Sequence, residues 1–225
     1  YGVTIVQPLT GGLVDKLNAQ DGRYSLYLRG LLKGEKVEET RIVDCVTRGI
    51  NPYTNTDEFF DCAKNPDLRF IVSNTTEAGI EYKPNQNPDD FNGLTFPGRL
   101  TLFMKKRFDE GLGGFILLPC ELIDKNGDNL KECILKYSVD WGYGGEFEKW
   151  IETENHFTNT LVDRIVTGYP RDNAKEMEQS YGYLDDMIDT AEIFHLWVIE
   201  GDKKLAEEIP FHKIGVNVLW RDDVT

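Results

Sequence analysis

The residues best suited to chemistry lie in three polar segments, each set against an apolar run. Arg69-Phe70-Ile71-Val72-Ser73 runs out into Asn74-Thr75-Thr76-Glu77-Ala78-Gly79. Gly114–Pro119 (GFILLP) runs out into Cys120-Glu121-Leu122-Ile123-Asp124-Lys125-Asn126-Gly127. In open parallel sheets ligands bind beyond the carboxyl ends of strands, so both segments would place amides and carboxylates on one such edge. Ordinary turn and cap chemistry competes with that reading, because Asn126 or Asp128 could simply cap the helix that follows. The third segment, Thr160–Val166 (TLVDRIV), has an Asp163-Arg164 doublet inside an apolar run. Buried charge is costly unless it is paired or serves a ligand. Adjacent strand residues point to opposite faces, so a direct Asp163–Arg164 pair is not assured, and a structural ion pair with other partners is the competing account.

Other chemistries find little support. Cys45, Cys62, Cys120 and Cys133 form no CxxC and read as reduced, partly buried thiols of a cytoplasmic protein. His156, His195 and His212 lack metal-ligand spacing, so no metal site is expected. Gly111-Leu112-Gly113-Gly114 follows a helix and precedes a strand, the reverse of a dinucleotide fingerprint. Gly142-Tyr143-Gly144-Gly145 joins two helical segments, and Gly11-Gly12 belongs to no GxxxxGK[ST]. All three read as turns.

The elements that must position these segments alternate between strand and helix. Val3–Pro8 (VTIVQP) reads as a buried strand, followed by the polar stretch 9–22. RYSLYLRGLL and KVEETRIVDCV read as a hairpin around Lys33-Gly34-Glu35. TDEFFDCAK has one or two helical turns, and RFIVSN is a candidate central strand. Pro97 opens a helix with Leu100, Phe103, Met104 and Phe108 on one face. A second helix starts near Asn126, with the stripe Leu130, Cys133, Ile134, Tyr137 and Trp141. TLVDRIVTGYP and EIFHLWVIEG are further β-like runs. The alternation predicts an α/β fold with a mostly parallel sheet and an added β-hairpin, in one domain over 1–225.

The chain has 225 residues and a net charge of −14, from 25 Lys+Arg against 39 Asp+Glu. With 40% hydrophobic and 12% aromatic residues the composition is globular. The acidic balance argues against nucleic acid and against an anionic membrane surface as partners. No stretch reaches the roughly 18 apolar residues of a spanning helix, and the first residues do not read as a signal peptide.

Taken together, the three polar segments resemble the polyol-specific long-chain, mannitol-type dehydrogenases. HFTNTLVDRIVTGYP (His156–Pro170) looks like that family's signature, with Val162-Asp163-Arg164-Ile165 at its core and Thr167 where many members have Pro or Ser. SNTTEAGI and LLPCELIDKNGDNLK look like its other N-terminal-domain motifs. Within the family the similarity is greatest to the tagaturonate-reducing branch, and it extends through IDTAEIFHLWVIEG to VNVLWRDDV. Members acting on mannitol or fructuronate usually read Cys-Asp-Asn in the second segment. Here it is Cys120-Glu121-Leu122, which weighs against those substrates.

The resemblance implies a Rossmann-like nucleotide-binding domain and metal-independent hydride transfer between a sugar-acid alcohol and NAD, interconverting altronate and tagaturonate. It further implies that the chain is a fragment of that domain, lacking a first strand and Gly-rich loop. No catalytic residue is then expected in this chain: the family's catalytic Lys, with its Asn and His partners, is expected after Thr225, followed by a helical substrate domain. Asp163 and Arg164 would lie at the nicotinamide and substrate end, with Arg164 one candidate for the anionic substrate. Asn74, Thr76 and Glu77 would line the cofactor cleft, and Glu121 and Asn126 would border it. Gln7, at the end of the first strand, occupies the place where such folds often carry an acidic ribose-binding residue, and it leaves NAD or NADP open. Fructuronate or mannitol oxidation, and a non-catalytic Rossmann-like binding module, are the competing functions.

Overall fold

The computed structural model describes residues 2–201 and 203–221. Its elements in chain order are β1 (Val3–Val6), α1 (Val14–Ala19), β2 (Tyr24–Leu32), β3 (Glu35–Val43), β4 (Val46–Ile50), α2 (Thr56–Ala63), β5 (Phe70–Ser73), α3 (Phe96–Asp109), β6 (Ile116–Pro119) and α4 (Asn126–Asp140). They continue with α5 (Gly145–Glu154), β7 (His156–Phe157), β8 (Thr160–Asp163), α6 (Ala174–Tyr181), β9 (Asp189–Glu192), β10 (Leu196–Glu200), α7 (Lys203–Glu208) and β11 (Val218–Arg221). They form two compact units. The first runs to Asn55 and resumes over Asp163–His195; the second spans Thr56–Val162 and continues from Leu196.

In the first unit β1 and β4 pair in parallel. The expected hairpin is present: β2 and β3 pair antiparallel over their whole length, and β9 joins β2 in parallel. Lys33 and Gly34 both take positive φ, 53° and 85°, which suits the twist of a two-residue hairpin turn. Glu35 therefore belongs to β3 rather than to the turn. The polar stretch after β1 contains the short helix α1, whose Val14 and Leu17 are buried. Those two apolar residues sit one turn apart, a signal too brief to stand out among polar neighbours.

In the second unit β5, β6 and β7 form an all-parallel sheet in that order, and β11, β10 and β8 form a second sheet in which β10 and β11 are parallel. Every residue of β6 (ILLP) is buried, as a strand covered on both faces requires. β5 differs from expectation: it takes an edge of its three-stranded sheet and β6 the centre, and Val72 is exposed. α3 opens with Thr95 as N-cap and Pro97 in its first turn, and buries Leu100, Phe103 and Met104 as expected. The α4 stripe buries Leu130, Cys133, Ile134 and Tyr137. Ile116 and Leu118 pack with Ile199, Leu205 and Ile209 into one core.

One core position was not legible as such. Arg107, on the inner face of α3, is 2% exposed. Its Nε donates to Gly113 O at 2.8 Å and its Nη1 to Ala63 O and Asn65 O at 3.2 and 2.5 Å. The guanidinium also lies 4.6 Å from the centre of the Phe115 ring. Burial, more than the neighbouring Arg69, lowers its pKa. Carbonyls and an aromatic face thus take the place of a counter-ion.

Candidate functional site

The parallel pairing of β5 with β6 decides where the first two polar segments go. Ser73 is opposite Pro119, so residues 74–77 and 120–127 leave the sheet at the same edge, as expected. Cys120 N donates to Ser73 O at 2.7 Å and continues the ladder one step beyond the strands.

Asn126 is fully buried there, and its amide ties three pieces of backbone together. Its Nδ2 donates to Pro119 O, Glu121 O and Thr160 O at 3.0, 3.0 and 2.9 Å. Its Oδ1 accepts Gly127 N and Thr160 N, both at 2.9 Å. The competing reading of Asn126 as the cap of α4 does not describe these contacts. Asn126 is the first residue of the helix, Lys125 occupies the cap position with φ 51°, and the amide is spent mainly on the ends of β6 and β8. Gly127 permits this crowding, since a Cβ there would overlap Thr158 O. Asp128 does not cap the helix either. Asn159 supplies an acceptor, its Oδ1 receiving Asp128 N at 3.1 Å, while its Nδ2 bridges Asp128 and Glu200. Asn159 escaped the sequence reading; its amide within HFTNTLVD was the available signal. A concave region of about 490 Å³ beside it is lined by Asp128, Lys131, His156 and Glu200.

Glu121 is also buried, and its carboxylate is occupied by the residues on either side of Asn74. Ser73 Oγ donates to Oε2 at 3.0 Å, and Thr75 N and Oγ1 donate to Oε1 at 3.1 and 3.0 Å. Asn74, Thr76 and Glu77 are exposed. A tight turn closes behind them, with Gly79 N donating to Thr76 O at 2.9 Å. Leu122 is exposed. Burial pushes the Cys120 thiol up to about 11, opposed by a hydrogen bond from the Thr160 hydroxyl.

The other predicted residues lie in the first unit. Gln7 follows β1, is buried and serves its own loop: Nε2 donates to Leu9 O and Thr10 O at 2.6 and 3.3 Å, and Oε1 accepts Val14 N at 3.4 Å. Asp163 is the last residue of β8 and is exposed, which corrects the premise that both charges of the doublet are buried in the sheet. The strand ends at that residue, and Leu161 and Ile165 around it are exposed too. Arg164 is half-buried, and its Nε and Nη2 donate to Glu192 O at 3.3 and 3.2 Å. It also acts on Asp189, whose pKa is raised by burial but held back by the Thr190 N–H and by Arg164. The hydrogen bonds of Arg164 thus go to a main-chain carbonyl, not to the carboxylate that the competing ion-pair account requires.

The four cysteines are free. Among the described residues no group of three or more His, Cys, Asp or Glu is placed to hold a metal ion, and no helix is long and apolar enough to cross a membrane.

A family model described as the mannitol dehydrogenase Rossmann domain matches residues 1–213. The chain belongs to the mannitol dehydrogenase family. Altronate oxidoreductases from Cronobacter sakazakii and Shigella flexneri are each 45% identical to it over 228 aligned residues, covering 99% of this chain and 47% of those proteins. The chain thus spans about half the length of the curated relatives it matches. Among solved structures, a substrate-free D-sorbitol dehydrogenase superposes with a TM-score of 0.80 at 22% identity, covering 100% of this chain and 48% of that one. The mannitol 2-dehydrogenase of Pseudomonas fluorescens, in a ternary complex with NAD and D-mannitol, gives 0.75 at 21% identity over 94% and 44%. These likenesses establish the Rossmann-like fold of this family member, with its mostly parallel sheets and β2–β3 hairpin.

Proposed function

We infer that the protein carrying this chain is a NAD-dependent oxidoreductase that interconverts altronate and tagaturonate by hydride transfer. The observation that carries this reading is the 45% identity to altronate oxidoreductases across 99% of the chain. In this reading the chain supplies the dinucleotide-binding part, and the other half of the length seen in the relatives supplies the acid/base Lys, with its Asn and His partners, and a helical substrate domain.

The exposed amide, hydroxyl and carboxylate of Asn74, Thr76 and Glu77, at the carboxyl end of a parallel strand, suit the hydroxyl-rich surface of a dinucleotide. When bound, NAD supplies the hydride acceptor. Glu121 and Asn126 border this cleft by holding its backbone, since their polar atoms are committed to protein partners. Gln7 shapes the loop after β1 in the same manner. Arg164 offers positive charge to a sugar acid, and Asp163 stands beside it at the nicotinamide and substrate end. Sugar acid and NAD are the partners; the net charge of −14 opposes nucleic acid and anionic membranes, and four free thiols agree with a cytoplasmic location.

A substrate panel on the intact polypeptide tests this assignment. Altronate with NAD is expected to yield NADH without added metal, and Asp163→Ala to lower that turnover at least about a hundredfold while leaving the melting temperature in place. Turnover of fructuronate or mannitol in preference to altronate would contradict the branch assigned. A variant that melts far lower would instead make Asp163 a structural residue.

A further inference from the structure

The carboxylate of Glu121 has two oxygens and three donors, one from the last residue of β5 and two from the segment that follows it. Those donors belong to Ser73 and Thr75, the residues immediately before and after Asn74. The carboxylate thus grips the chain on both sides of an exposed amide. Beyond Thr75 the segment has its own closure, the Gly79-to-Thr76 hydrogen bond, and a Cβ at position 79 would overlap Thr75 Oγ1. The loop is therefore held at its root by Glu121 and folded compactly beyond it. Glu121 itself is 2% exposed, with both oxygens engaged by protein donors. Buried hydrogen-bond networks of this kind are costly to leave half-made.

We propose that Glu121 is a positioning residue: it sets the path by which the chain leaves β5, and through Asn74 and Thr76 it sets the affinity for the nicotinamide dinucleotide. This rests on the reading that those two residues line the cofactor cleft. The sequence offers no hint of this grip, since Glu121 is 48 residues from Ser73.

Three variants test this, made in the intact polypeptide and titrated with NAD by calorimetry. Glu121→Gln keeps the side-chain volume but replaces one acceptor oxygen by a donor. Thr75→Val keeps the shape of Thr75 and removes one hydroxyl donor. Asn74→Ala removes the presented amide. Because a displacement on the ångström scale at a binding site is felt as a large factor, Glu121→Gln is expected to weaken NAD binding about tenfold, with KM for NAD rising more than kcat falls. Amide exchange at Thr75 should accelerate while that of β6 stays slow. Thr75→Val should act in the same direction by less, and the double variant should weaken binding by less than the product of the two factors, because both changes break one shared contact. Should Glu121→Gln also loosen β6, Thr75→Val alone becomes the test, and unchanged affinity there overturns the proposal. Wild-type binding that is lost in Asn74→Ala and kept in Glu121→Gln overturns the positioning role while sparing the cleft. Equal NAD binding by wild type and Asn74→Ala, or none by either, overturns the cleft and the positioning role together.

Discussion

Asn126→Asp should destabilise the protein as severely as Asn126→Ala, by about 3 kcal/mol: Ala strands the buried N–H groups of Gly127 and Thr160, Asp sets a buried oxygen against three carbonyls, and each unmet buried group costs about 1–3 kcal/mol. Two roles that look alike in sequence differ here in their chemistry. A helix cap is an acceptor, and Asp serves there as well as Asn. The amide of Asn126 acts chiefly as a donor to Pro119 O, Glu121 O and Thr160 O. Two hydrogens are shared among those three carbonyls, of which Pro119 O also receives Thr160 Oγ1 and Glu121 O receives Ile123 N. Asp puts an oxygen at the same spot and turns attraction into repulsion. Thermal melting of the two variants checks this, with an expected fall of about 6–12 °C for each at this chain length. An Asp variant that melts like wild type would return Asn126 to a cap.

The second large effect is expected at Arg107. Arg107→Met takes the guanidinium donor from Gly113 O, Ala63 O and Asn65 O, of which Asn65 O keeps Leu68 N, and should cost about 3 kcal/mol. Arg107→Lys keeps the charge but replaces a planar fork by a single point, which cannot span carbonyls on two sides of the side chain. About 2 kcal/mol is expected for Lys, set by the carbonyls it leaves unmet. Urea denaturation of both variants reads these values. Equal stability of the Lys variant and wild type would show that the charge alone, without the fork, holds the loop after α2 to the turn after α3.

Much of the frame was legible because its signals are short-range. The apolar run GFILLP, the Pro97 helix start and the Leu130–Ile134–Tyr137 stripe each record in a few consecutive residues how a strand or helix meets the core. α1 and α6 were not legible, since α1 has six residues and α6 buries only Ala174. The edge position of β5 was hidden for another reason: FIVS is as apolar as ILLP, and only the pairing order distinguishes them. At the candidate site the residues could be named but not their roles. Glu121 and Asn126 read as ligand-facing groups because polar residues after a strand usually face outward. Their partners, Ser73, Thr75 and Thr160, are 34 to 48 residues distant along the chain, and no local pattern reveals such a contact. The doublet Asp163-Arg164 shows the converse. It looked buried because its neighbours are apolar, yet Leu161, Ile165 and Val166 are themselves exposed.

The functional reading stands on a dinucleotide binding where β5 and β6 end. Hydrogen exchange of the intact polypeptide with and without NAD measures this segment by segment. Slower exchange on adding NAD is expected, concentrated over residues 74–79 with a smaller effect over 120–127. Protection that leaves both segments at their ligand-free rates while appearing elsewhere would refute that location.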